Sequence, residues 1–330
     1  MNRYLQKRGF RRHVICAALV LFQLWLPTVD ADQGAPLPTL SVSVLQFGTA
    51  HWELSHIVDR QLDRRHDYTL AIRPVANLPA SHLAVTSGTV NGAVADLLWA
   101  QSRYQAGSAF LYVPFSSSIG DIVVAEQSPV TSVSDLEGLR VGVAGGPDSK
   151  GWILLQKVAE RQGLDLSDAT EVQYAAPPLL SQALRRGQVD AIVTYWHFAA
   201  RLKGEGGWRS AFGMEDLLTA MELDSDLPVL GYVFPEPWAS ENTELINGFA
   251  RSVAEAKAEL TEQPDYWRRM RPLMRTADPG VFEALRTGFI AGTPEPLTDQ
   301  RVADLRKLLV LTGAESKTLM PETLFHRGGP

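Results

Sequence analysis

The sequence predicts an α/β protein of two lobes, on three observations. Two successive series of strand then helix run from Leu40 to Trp196, the second echoes the first in order, and beyond residue 241 only helical periods remain. The first series reads LSVSVLQF, a helix opening near Trp52, YTLAIRPV, a short helix from Ser81, GAVADLL, another short helix and FLYVPF. Strands rich in Val, Leu and Ile between helical periods belong to parallel α/β structure. After DIVVAEQ the second series runs through the helix-like SVSDLEG, LRVGVAG, a helix over 150–162, EVQY, a helix over 178–186 and DAIVTYW.

The echo is concrete. Ser81 leads through a short helix to Gly88-Thr89-Val90-Asn91-Gly92-Ala93, and Ser181 leads likewise to Gly187-Gln188-Val189-Asp190-Ala191-Ile192. In each, a glycine stands where a left-handed helix terminus precedes a strand. After Trp208 the chain runs through a loop to the strand-like PVLGYVFP, then through helical stretches at 241–262, 265–274, 279–291 and 298–311. A late strand followed by helices alone implies that the chain returns to the first lobe and packs a helical block on it. Lobe 1 is then discontinuous, 40–122 plus 230–330, and lobe 2 is 123–229. The crossings near Ile122–Ala125 and Val229–Phe234 are hinge candidates.

The first thirty-odd residues are built differently. Arg3, Lys7, Arg8, Arg11 and Arg12 precede the thirteen-residue apolar run VICAALVLFQLWL, then Pro27, with Val29 and Ala31 small enough for cleavage after Ala31. Residues 1–31 are therefore read as an export signal and 32–39 as a linker, and the apolar run falls short of the roughly 20 residues that span a bilayer. The implied location is periplasmic. Cys16, the sole cysteine, lies inside this segment after Ile15, a poor position for lipid attachment, so the mature chain has neither disulfide nor thiolate chemistry. A hydrophobic content of 45% over 330 residues supports one large or two medium cores. The formal charge of -6 is spread without a basic block, so no nucleic-acid partner is expected.

Two segments carry a family resemblance: SVSDLEGLRVGVAGGPDSKGWILLQKVAERQGL at 132–164 and AAPPLLSQALRRGQVDAIVTYWHFAARL at 175–202. Over roughly residues 40–270 the chain resembles the periplasmic binding proteins of the nitrate, sulfonate and taurine type, a group that includes thiamine-precursor binders. The resemblance implies a type II-like periplasmic-binding-protein fold, closure of two lobes over a small ligand, and the membrane subunits of an ABC importer as partner. A monomer without cofactor is expected. Ligand contacts would come from loops at the strand ends of both lobes, where open parallel sheets bind and helix N-termini point.

Candidate ligand residues follow from those loops. Thr49, His51 and Trp52 open the first helix, Trp52 as a stacking wall or as a staple at the helix start. His51 and His56 diverge on a helix, which speaks against a shared metal. Ser81 offers a hydroxyl to a ligand or caps a helix. Asp96 ends the third strand and either meets an ammonium group or caps the next helix. Ser117 and Ser118 sit just before the first crossing. The turn Gly145-Gly146-Pro147-Asp148-Ser149-Lys150 is the strongest candidate, with Gly146 permitting close approach and Asp148, Ser149 and Lys150 opening a helix whose free N–H groups suit an anion. Asp148 departs from the small hydroxyl residue usual for the family; it opposes an anion unless Lys150 offsets it, and it also suits an N-cap. Trp196 and His197 end the last strand of the second series, His197 in place of the family's acidic residue, so the family's preference does not carry over there.

No G-x-S-x-G, H-E-x-x-H, Walker or dinucleotide motif is present. The expected function is non-enzymatic capture of a small organic oxyanion, a sulfonate first, for import. Alternatives on the same fold are a periplasmic sensor or adaptor, a metal or heterocycle binder, and a thiamine-pyrimidine synthase-like enzyme. Export and the lack of a mature cysteine oppose the last of these.

Overall fold

The structure is a computed structural model and describes residues 36–328. The signal expected over 1–31 and most of the 32–39 linker lie outside the described residues. Among the described residues no helix is long and apolar enough to cross a membrane.

The first series folds as β1 (Thr39–Leu45), α1 (Ala50–Arg60), α2 (Leu62–Arg65), β2 (Thr69–Val75), α3 (Leu78–Thr86), β3 (Gly92–Asp96), α4 (Leu97–Gln105) and β4 (Phe110–Ser116). The second folds as β5 (Gly120–Ala125), β6 (Arg140–Ala144), α5 (Lys150–Arg161), α6 (Leu166–Ala169), β7 (Glu171–Ala175), α7 (Pro177–Arg185), β8 (Ala191–Tyr195), α8 (Trp196–Glu205), β9 (Trp208–Gly213) and α9 (Met214–Ala220). The chain then forms β10 (Leu230–Pro235), α10 (Glu236–Glu241), α11 (Thr243–Glu262), α12 (Tyr266–Met274), α13 (Pro279–Ala291) and α14 (Asp299–Leu311).

Two five-stranded sheets result, ordered β2-β1-β3-β10-β4 and β7-β6-β8-β5-β9. The echo in sequence is thus an echo in topology. In each sheet four strands point one way. The strand fed in from the other half of the chain, β10 or β5, runs antiparallel between two of them. Gly88 and Gly187 end corresponding helices at φ 73° and 66°, a conformation that a side chain disfavours. The strands bury Leu40, Val42 and Val44 in one sheet and Val141, Val143, Ala191 and Val193 in the other, and Ser43, Gly142 and Ile192 between them are buried too, as in strands covered on both faces.

Three findings depart from the expectations. The stretch after Trp208 is not a loop: it forms β9 and α9. WRSAFG lacks a period-2 pattern because β9 is an edge strand, paired only with β5. The first crossing between sheets lies at residues 117–119, so Ile122–Ala125 stand wholly within the second sheet rather than between the two. The C-terminal helices do pack on the first lobe, through α11 against α1 and α2 and α14 against α4, and α13 also lies along α8 of the second lobe. That contact is close. A Cβ on Gly204 of α8 would stand 2.6 Å from Val281 Cα, and one on Gly280 would stand 2.5 Å from the Gly204 carbonyl oxygen.

Candidate functional site

A cleft of about 420 Å³ lies between the sheets. The first lobe supplies the end of β1, the start of α1 and Asp96 after β3. The second supplies the 145–150 turn and Tyr195-Trp196-His197 after β8. Each lobe sends its first helix out of its second-from-edge strand, β1 into α1 and β6 into α5, so two helix N-termini open onto the same cavity. Their N-cap residues are Thr49 and Ser149, and neither side chain caps its helix. Both hydroxyls remain uncommitted at the positive ends of two helix dipoles; the first-turn N–H groups of α5 stay free beside Ser149, whereas in α1 those of His51 and Trp52 meet the Gly48 and Thr49 carbonyls.

Behind the Ser149 end a small enclosed space shares Ile119, Ser149, Lys150 and Tyr195 with the cleft and adds Thr194. Ser149 Oγ and Thr194 Oγ1 are buried and make no hydrogen bond. Thr194 as a whole is 2% exposed. Buried polar atoms are ordinarily paired, so two orphaned hydroxyls around one helix start mark a place built to receive acceptor atoms. Lys150 adds a cation, its Nζ 3.8 Å from Asp96 Oδ2 across the cleft. Gly145, at φ 97°, brings the turn within reach of the Tyr195 hydroxyl. Val44, Leu45, Leu78, Val94, Phe115, Ile119 and Leu230 form the apolar remainder of the wall.

Burial raises the Tyr195 hydroxyl pKa and the Asp96 charge adds to this, so the phenol stays a neutral donor. His197 is pushed down to about 3 by burial, with Arg201 nearby contributing, and is a neutral imidazole at physiological pH. Asp148 is exposed at the rim and is not the N-cap of α5; Ser149 holds that position without a side-chain cap bond. Asp96 caps α4, Oδ1 accepting from the Trp99 N–H at 2.9 Å, while it also lines the cleft.

The cleft therefore brings together Thr49, Asp96, Gly146, Asp148, Ser149, Lys150, Trp196 and His197. It leaves out five other candidates. Trp52 is 2% exposed and locked in an aromatic cluster, edge-on to Trp196 and Trp267 at 6.3 Å each and 5.9 Å from Phe289. Its helix turns it inward, two residues past the cleft-lining Thr49 and Ala50. His51 turns away so that Nδ1 meets the Gln46 carbonyl at 3.0 Å. Ser81 lies inside α3, fully buried and 3.4 Å from the Ser43 carbonyl; Asn77 is the cap. Ser117 and Ser118 line a separate cavity of about 860 Å³ with Asp121, Lys203 and Glu215. His51, Glu53 and His56 take different partners: Glu53 pairs with Lys257 and His56 with Glu259. Sequence reading missed Thr194 and the apolar wall. Thr194 carried a signal, as the single polar residue inside the buried strand AIVTY.

Residues 109–266 match the family model described as NMT1/THI5 like. The chain is also 28% identical, over 183 residues, to a protein of Escherichia coli (strain K12) named for binding aliphatic sulfonates. The match covers 53% of this chain and 52% of the relative, so it spans about half the length of that curated protein. Among solved structures, the periplasmic aliphatic sulphonate binding protein SsuA of Escherichia coli superposes with a TM-score of 0.69 at 20% identity, covering 84% of this chain and 92% of that one. The alkanesulfonate-binding protein SsuA of Xanthomonas axonopodis pv. citri, bound to MOPS, gives 0.67 at 19% identity, covering 89% and 99%. These structural likenesses establish the two-lobed periplasmic-binding-protein fold for the chain.

Proposed function

We propose that this chain is an exported solute-binding protein that captures a small organic oxyanion, a short sulfonate foremost, between its lobes and presents it to the membrane subunits of an ABC importer. The observation that carries this is the convergence of two helix N-termini, one from each lobe, whose cap hydroxyls at Thr49 and Ser149 are uncommitted. Helix starts favour anions through free N–H groups and the dipole. Thr194 and Lys150 add a donor and a cation on one side, and the apolar wall gives an aliphatic chain a dry surface. The names of the relatives point the same way.

No bond need be made or broken. Ser149 and Thr194 hydroxyls have no base in contact to activate them, and His197 is too weak a base near neutrality to serve. Capture instead draws on the crossings at 117–119 and 221–229, which let the α1 and α5 starts close from opposite sides. The periplasmic setting is supported by the N-terminal segment of the sequence and by the relatives named above.

The test is a thermal-shift titration with short alkanesulfonates, nitrate, pyrimidines and divalent cations. At a hundredfold excess over Kd a ligand stabilises the native state by about 2.7 kcal/mol, several degrees in melting temperature. Shifts with sulfonates support the proposal. Shifts with cations alone, or turnover of a bound ligand, refute it.

A further inference from the structure

We propose that the Asp96 carboxylate is an internal competitor for Lys150 and thereby sets how tightly the cleft holds an oxyanion; this rests on the oxyanion reading above. Asp96 comes from the first lobe at the end of β3, and Lys150 from the second lobe in the first turn of α5. Their charged atoms stand 3.8 Å apart, with side chains only 23% and 14% exposed. The distance is too long for a hydrogen bond, so the contact is Coulombic and open to replacement.

Asp96 is held in place. Oδ1 accepts from the Trp99 N–H, so the carboxylate cannot swing out of the cleft without uncapping α4, and Oδ2 is the oxygen left facing Lys150. Its charge is felt by its neighbours: burial raises the Tyr112 and Tyr195 hydroxyls and Asp96 adds to this, and burial lowers His82 while Asp96 opposes it. An oxyanion seated against Ser149 and the start of α5 must take Lys150 from this carboxylate and then remain near a like charge. Asp96 therefore weakens binding of every simple anion, and in exchange it pairs with Lys150 across the lobes when the two approach.

The experiment measures butanesulfonate affinity by titration calorimetry for the full exported protein, for Asp96→Asn, for Lys150→Met and for the double variant. Asparagine retains the cap on α4, since Asn serves that position as well as Asp. Asp96→Ser, which also caps, guards against an effect peculiar to one side chain. The expected result is a gain of about two- to fivefold in affinity for Asp96→Asn, in the range of a partly exposed charge pair. The gain should be clearly smaller in the Lys150→Met background. Unchanged or weaker binding in both Asp96 variants overturns the inference. An equal gain with and without Lys150 also overturns it. If none of the proteins binds butanesulfonate, the oxyanion reading falls as well, which separates the two failures.

Discussion

Replacing Lys257 by methionine would leave the Glu53 carboxylate inside the first lobe without its counter-ion. Glu53 is fully buried and Lys257 is 6% exposed, with Nζ 2.8 Å from Glu53 Oε2 as an ion pair rather than an aligned hydrogen bond. Tyr232 donates its hydroxyl to the other carboxylate oxygen. The ammonium also lies 4.6 Å from the Phe289 ring centroid. The pair thus ties α1 to α11 and sits against α13. Breaking a buried pair from one side costs about 3–5 kcal/mol, because the remaining charge keeps its desolvation penalty. That is a large share of a native stability of about 5–15 kcal/mol. Urea unfolding followed by circular dichroism should show this loss for Lys257→Met. The double variant Lys257→Met, Glu53→Met should return to within about 2 kcal/mol of wild type, since no buried charge is then stranded. A single variant within about 1 kcal/mol of wild type, or a double variant worse than the single, would refute the reasoning.

Trp52→Ala should lower stability by about 3–5 kcal/mol in the same assay, because it empties the centre of the aromatic cluster rather than the cleft. Gly204→Ala should cost about 1–3 kcal/mol, since its Cβ would meet the α13 backbone at 2.6–2.8 Å and backbone yields less readily than a side chain. His197 sets a pH dependence. Its folded pKa of about 3 lies below the unfolded 6.5, so its contribution is full above pH 6.5 and is lost as pH falls toward 3. A stability difference between wild type and His197→Phe that stays flat across that window in pH-resolved unfolding would contradict this.

Most of the architecture was legible because strand and helix periods report burial directly. The runs LSVSVLQF and LRVGVAG set Leu40, Val42, Val44, Val141 and Val143 at alternate positions, the strand period, and Asp278 and Thr298 cap α13 and α14 at the boundaries that the pattern marks. What was illegible is also physical. WRSAFG, half-exposed at a sheet edge, carries no alternation to read. The α8 to α13 contact rests on glycines at 204, 280 and 288, and a missing side chain leaves no pattern in sequence.

The site divides along the same line. Lys150, Ser149 and Asp96 were recoverable because a turn after a strand declares where a helix begins. Trp52 misled, because position near a helix start does not fix which way an indole points; three residues into α1, it faces the core and meets Trp267, which is some two hundred positions away in sequence. Thr194 was hidden by its strand, and only the fold shows that its hydroxyl finds no partner beside the α5 start.

The most direct measurement is a crystal structure of the protein with 2-bromoethanesulfonate, using anomalous scattering at the bromine edge. The sulfonate should lie between the Thr49 and Ser149 helix starts with an oxygen toward Thr194, and the bromine peak should fall against Leu45, Phe115 and Leu230. A peak in the Ser117 and Glu215 cavity, or no peak at saturating ligand, would contradict capture of an oxyanion between the lobes.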